Sequence, residues 1–204
     1  MVEPHKKLRE QALDLVRARG IARARDFTEA GIPLVYLKRM ISSGELVRLA
    51  RGLYQEPGRV GEHIEHNLAE AARLVPNGTI SLISALRHHG LTTQLPHAVW
   101  ITIPHKARTP SANRLKLEVV RATGQSLTEG VELVSIEGVQ VPVYNVAKTV
   151  ADCFKYRRHV GEDVAVEALR DALRQKKVTI SELIKFAAIN RVTRLIGQYI
   201  KAME

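Results

Sequence analysis

The step Gly31-Ile32-Pro33 limits this chain more than any other feature. Gly31 can end a helix in the left-handed conformation, and Pro33 suits the first position of a following helix because its missing N–H would have no intrahelical partner there. A second helix therefore starts about two residues after the first stops. Turning about 100° per residue puts Leu34, Leu37, Met40 and Ile41 on one side of it and Val35, Tyr36, Arg39, Ser42 and Ser43 on the other. Gly44 closes this helix. Residues 45–49 and 53–55 then read as short strands around a turn at Ala50-Arg51-Gly52, a hairpin with Arg48 at its base and Arg51 at its tip.

A short helix, a tight turn, a second helix with a cationic outer face and a basic hairpin form the pattern of a winged helix-turn-helix, whose second helix enters the major groove of DNA. A basic helix face alone is usually only solvated, so the nucleic-acid reading rests on three features agreeing in order and spacing. It makes Val35, Tyr36, Lys38, Arg39, Ser42, Ser43, Arg48 and Arg51 the candidate DNA-binding residues. Charge agrees: the chain carries a net +10 with a pI near 10, which draws it to polyanions. Residues 1–60 and 145–204 each net +5, whereas residues 61–144 net zero.

The flanking sequence supplies a frame for this module. His5 to Arg19 has the apolar spacing of a first helix, with Leu8, Ala12, Leu15 and Val16 inward, and residues 23–30 make the short helix before Gly31. Residues 56–61 read as a linker, so the expected division is a DNA-binding domain over 1–58 and an effector domain over 59–204. Glu62 to Val75 is expected to open the second domain as a helix, followed by a short helix from Ser81 to His89 and a strand over 98–103. Strands are expected over 115–120, 131–136 and 139–143, with Glu137-Gly138 as a hairpin turn. Asn145 caps a helix to about Tyr156, Glu162 to Gln175 forms the next, and the Thr179–Glu182 capping box opens helices that break near Asn190. The fold class is α+β, a winged helix-turn-helix followed by a mixed α+β domain.

Other chemistries find little support. Cys153 is the single cysteine and lies in an apolar helical run, so neither a disulfide nor a thiolate metal site is expected. No apolar run reaches membrane-spanning length and the opening residues MVEPHKKLREQ show no apolar leader core, so the expected compartment is the cytoplasm. His63 and His66 stand one helical turn apart but lack the spacing of known zinc motifs, and adjacent His88 and His89 point about 100° apart. Clustered carboxylates of a magnesium nuclease, a phosphate-cradling loop and a Gly-x-Ser-x-Gly elbow are all missing. No catalytic residue, metal or cofactor is expected. Lys155, Arg157, Arg158, Arg170 and Arg174 form a candidate basic patch facing DNA or an acidic partner. The alternative function is a nucleic-acid-processing enzyme or RNA-binding protein that uses the basic surface for its substrate.

The run Ala30-Gly31-Ile32-Pro33, then Gly44-Glu45-Leu46-Val47-Arg48, then Arg51-Gly52-Leu53-Tyr54 resembles the winged-helix domain of AbiEi-type antitoxins and related predicted regulators of viral defence. Residues 84–91 with the Trp100–Pro104 strand resemble the start of that family's C-terminal domain, and residues 145–153 its later helix. The resemblance implies a repressor that binds an inverted repeat in double-stranded DNA and autoregulates its operon within a type IV toxin-antitoxin (abortive infection) system. It further implies a C-terminal domain that counteracts a nucleotidyltransferase-like toxin without a stable complex. The oligomeric state that goes with it is a monomer in solution or a dimer on DNA.

Overall fold

The computed structural model describes residues 4–59, 64–108 and 115–203. These fall into two compact units, one within Met1–Pro76, Pro110–Lys116 and Val134–Val141, the other within Asn77–Thr109, Leu117–Leu133 and Pro142–Glu204. The first unit therefore runs past residue 58 and recruits a distant hairpin tip.

In the first unit, α1 (Pro4–Arg19) leads through β1 (Ala22–Arg23) to α2 (Ala24–Glu29), α3 (Leu34–Ser42), β2 (Val47–Ala50) and β3 (Leu53–Gln55). A 3-10 turn (Pro57–Arg59) and α4 (Ile64–Leu74) follow. The three strands form one sheet in the order β1-β3-β2, so the expected hairpin gains a third, unanticipated strand. Its origin is local: the Asp26 carboxylate accepts the Arg23 N–H at 2.7 Å, holding Arg23 extended as the cap of α2, and the same extended backbone pairs with Leu53. Pro33 sits one position earlier than expected, as the extended cap of α3 at ψ 137° rather than as its first helical residue. The core joins Ala12 and Val16 of α1, Phe27 of α2 and Leu37 and Met40 of α3, with Ile32 and Leu46 in the connections. Phe27 meets Tyr54 of β3 edge-on at 5.6 Å.

Helix α4 belongs to this unit instead of opening the next, because its groups are bonded here. The Arg73 carbonyl accepts from the Arg23 guanidinium at 2.6 Å, and buried His66 Nδ1 lies 2.9 Å from Glu137 Oε2. Glu137 and Gly138 both adopt positive φ, 50° and 77°, as a two-residue hairpin turn of the expected kind requires. The turn lies against the end of α1, where a Cβ on Gly20 would fall 1.6 Å from the Glu137 carbonyl oxygen.

The five-stranded sheet consists of β4 (Thr79–Ile80), β5 (Val99–Pro104), β6 (Leu117–Ala122), β7 (Val131–Ile136) and β8 (Val139–Tyr144) in the order β6-β5-β4-β8-β7, and the tip of the β7–β8 hairpin is the part counted with the first unit. Strand β5 runs parallel to β6 and antiparallel to β4, and β4 runs parallel to β8. The unexpected β4 is its centre. Strand β6 lies two residues later than expected because its register is set by pairing with β5, Val99 opposite Leu117. The helices are α5 (Leu82–His88), α6 (Gln125–Thr128), α7 (Val146–Lys155), α8 (Arg157–Val160), α9 (Glu162–Arg174), α10 (Ile180–Asn190) and α11 (Thr193–Lys201). As expected, Asn145 caps α7 through the Lys148 N–H at 2.9 Å, and the Thr179–Glu182 capping box opens α10. Leu82, Leu86, Val150, Phe154, Leu169, Leu183 and Ile196 centre the helical core.

Candidate nucleic-acid interface

The interface is built on two helix ends of the same design. After α2, the Ile32 N–H donates to the Phe27 carbonyl at 2.8 Å and the Gly31 N–H to Thr28 at 3.1 Å. After α3, Glu45 donates to Met40 at 2.8 Å and Gly44 to Ile41 at 3.1 Å. These are Schellman caps, and Gly31 and Gly44 supply the required φ of 74° and 75°. The second is braced by an ion pair from Arg9 of α1 to Glu45. The Ser43 hydroxyl, with Arg9 behind it, holds the Glu45 carboxyl below the usual carboxylate range. The turn that leads into α3 and the C-terminal end of α3 are therefore both closed by backbone bonds.

Burial sorts the faces of α3. Leu37 and Met40 point inward, whereas Val35, Lys38, Arg39, Ser42 and Ser43 are exposed and Tyr36 is half-buried. Leu34, expected inward, is 48% exposed, since the first turn of α3 overhangs the core that Leu37 and Met40 fill. The Arg39 guanidinium lies 5.7 Å from the centre of the Tyr36 ring, which orients a long side chain along the helix surface. The Ser42 hydroxyl donates to the Lys38 carbonyl at 3.0 Å and the Ser43 hydroxyl to Glu45 at 2.6 Å. The serines thus offer lone pairs rather than donors outward.

The hairpin carries the other two candidates. Arg51 is exposed in the β2–β3 turn, and Arg48 is exposed with its Nε donating to the Ala50 carbonyl at 3.3 Å across a bulge. Positioning residues that sequence reasoning passed over are Arg9, Glu45, Asp26 and Arg19, whose guanidinium reaches buried Asp26 at 2.9 Å. Only the Arg23-x-x-Asp26 spacing, that of an acidic residue in a helix's first turn, could have pointed to one of them.

The five basic candidates of the second unit do not share one environment. Lys155 turns inward: its Nζ donates to Ser126 Oγ at 3.0 Å and approaches Asn190 Oδ1 at 3.5 Å, so it is no exposed cation. Arg157 is half-buried and donates to the Phe154 carbonyl at 3.0 Å. Arg158 is exposed, and Arg170 and Arg174 are exposed beside Leu173 and Ile180, with Arg174 paired to Asp171 at 2.9 Å. The sequence also concealed a charged core: Lys148 pairs with Asp152, which accepts from Asn190 Nδ2 at 2.7 Å, all three buried. Burial pushes the Asp152 carboxyl up and the Lys148 amine down, each opposed by its partner. Burial likewise raises the Cys153 thiol, which rules it out as a ready nucleophile.

Among the described residues no three His, Cys, Asp or Glu side chains gather to hold a metal ion. Glu62 and His63 lie outside the described residues, and His66 is taken up by Glu137. His89 bonds the Tyr144 carbonyl through Nε2 at 2.7 Å, a structural role beside Gly90. No helix among the described residues is long and apolar enough to cross a membrane.

Comparison with known proteins converges on the same segment. Residues 10–57, from α1 through the hairpin, match the family described as "Transcriptional regulator, AbiEi antitoxin". No curated protein matches the sequence. The fold is similar to the crystal structure of the RV2827C protein from Mycobacterium tuberculosis, with a TM-score of 0.61 at 16% identity over 89% of this chain and 71% of that one.

Proposed function

We propose that this chain, whose residues 10–57 match the AbiEi antitoxin family of transcriptional regulators, is a DNA-binding repressor of its own operon and the antitoxin of a type IV toxin-antitoxin system. The observation that carries the reading is α3 itself, set between the closed ends of α2 and α3, with Val35, Lys38, Arg39 and Ser42 on one exposed face and Arg51 on the adjoining hairpin. In the major groove Arg39 can meet guanine O6 and N7 with two N–H groups, and Val35 can lie against a thymine methyl. Tyr36, Ser42 and Ser43 flank that contact, while Lys38, Arg48 and Arg51 neutralise phosphates. One such module makes few phosphate contacts, so binding is tight only when two modules meet an inverted repeat.

The first unit, which carries the winged helix, is the reader and the second unit the effector, acting in the cytoplasm without a catalytic step, metal or cofactor. The effector opposes a nucleotidyltransferase-like toxin without holding it in a stable complex, and the protein is a monomer in solution that pairs on DNA. The test is a footprint of the full chain on the DNA upstream of its own gene, joined to co-expression with the adjacent gene product. Protection of an inverted repeat and restored growth are expected. Uniform protection without a repeat refutes the repressor, and growth arrest despite full expression refutes the antitoxin.

A further inference from the structure

A second cationic site lies where α10 turns into α11. Arg191 occupies the residue after α10 in the left-handed conformation, φ 59° and ψ 37°, a place that glycine or asparagine normally fills. The cap does not need an arginine: backbone bonds from Arg191 to Ala188 at 3.1 Å and from Val192 to Ala187 at 2.9 Å complete it. An L-residue kept at a strained position against local preference points to work done by its side chain.

That side chain borders a hollow of about 380 Å³, lined by Arg157, Arg191, Val192, Arg194, Leu195 and Gln198. No carboxylate lines it, and among the described residues none of its three arginines has a carboxylate partner. Elsewhere in the same unit exposed cations do pair, Arg174 with Asp171 and Lys185 with Glu129. Arg157 is pre-positioned by its bond to the Phe154 carbonyl, and α10 is held at its last residue by the Asn190–Asp152 bond. Three planar guanidiniums facing one hollow repel one another until an anion joins them, and their forked donors match phosphate oxygens. Val192 and Leu195 add an apolar wall and Gln198 an amide, which a bare inorganic ion would leave unused.

We propose that Arg157, Arg191 and Arg194 bind the phosphate of a nucleotide unit, with its base or sugar against Val192 and Leu195. This site is separate from α3 and does not depend on which operator α3 reads. The nucleotide comes either from a single strand, whose unstacked bases can enter a hollow, or from solution.

The full chain is titrated with a fluorescent single-stranded RNA 12-mer of mixed sequence, with unlabelled ATP and inorganic phosphate as competitors. Arg191→Gly and Arg194→Ala are combined, and Arg39→Ala serves as the control in the first unit. The double variant is expected to bind about ten-fold more weakly or worse. Its salt slope should flatten by about 0.7 per arginine removed. Arg191→Gly alone should keep or raise the thermal midpoint, because glycine relaxes the left-handed cap. Competition by ATP identifies a free nucleotide as the ligand, and resistance to ATP identifies the strand. Unchanged binding in the double variant, an equal loss in Arg39→Ala, or no binding of any phosphate probe by the wild type would overturn the site.

Discussion

Removing the Asp152 carboxylate tests the charged core of the second unit. Asp152→Ala leaves the Lys148 ammonium buried at 1% exposure without its counter-ion, 4.1 Å from the centre of the Tyr144 ring. Stranding one member of a buried ion pair costs about 3–5 kcal/mol, a large share of the roughly 5–15 kcal/mol that holds a domain folded. At about 2–4 °C per kcal/mol for a chain of this length, the thermal midpoint should fall by roughly 6–20 °C. Adding Lys148→Met removes the stranded charge and fills its space. The remaining cost is then chiefly Asn190 Nδ2, which has lost its acceptor, about 1–3 kcal/mol. The double variant should therefore be more stable than Asp152→Ala alone. Lys148 binds a proton less readily folded than unfolded, so the stability of Asp152→Ala should also rise as pH climbs toward the ordinary lysine value of about 10.4. Calorimetric unfolding of the four members of the cycle measures both effects. A double variant less stable than Asp152→Ala, with no recovery at high pH, would refute the reasoning.

Three further outcomes follow from particular contacts. Gly31→Ala and Gly20→Ala impose the same left-handed strain, about 1–2 kcal/mol, but only at Gly20 would the new Cβ strike the Glu137 carbonyl, so chemical denaturation should show the larger loss there. His89 is held neutral by burial, so the unfolded chain binds its proton first and stability should fall as pH drops below about 6.5. His89→Gln, which can still donate to the Tyr144 carbonyl, should blunt that dependence in thermal scans. Arg9→Ala should weaken operator binding modestly by freeing Glu45 and loosening the end of α3, and Glu45→Gln should do the same, read by anisotropy titration.

Most of the first unit could be read from the chain because its signals are local. Gly31, Pro33 and Gly44 mark helix ends through backbone preferences that need no distant partner, and the same holds for Asn145 and the Thr179–Glu182 box. Strands β1 and β4 escaped because two residues cannot display a period. Each is a strand by virtue of its neighbours, Tyr54 and Leu53 for β1, Ile101 and Val143 for β4. The place of α4 was hidden for a related reason, since its partner Glu137 lies 71 residues away. Lys155 reads in the sequence as a member of an outward basic patch, and no local signal marks Lys148 or Asp152 as buried. Only the packing of α10, which brings Asn190 to Asp152, turns them into a buried network. Arg191 gave no signal beyond its charge, because its distinguishing property is a backbone angle.

The central claim is that α3 reads sequence while the hairpin supplies charge. The most direct measurement is a titration of the full chain against its upstream operator and a permuted fragment, across a salt series, for the wild type, Arg39→Ala and Arg51→Ala. The account predicts a wild-type preference for the operator of about 10³-fold or more. Arg39→Ala should lose about 1–3 kcal/mol on the operator and little on the permuted DNA. Arg51→Ala should weaken both and flatten the salt slope by about 0.9. Equal wild-type affinity for the two fragments, or equal losses on both for Arg39→Ala, would contradict it.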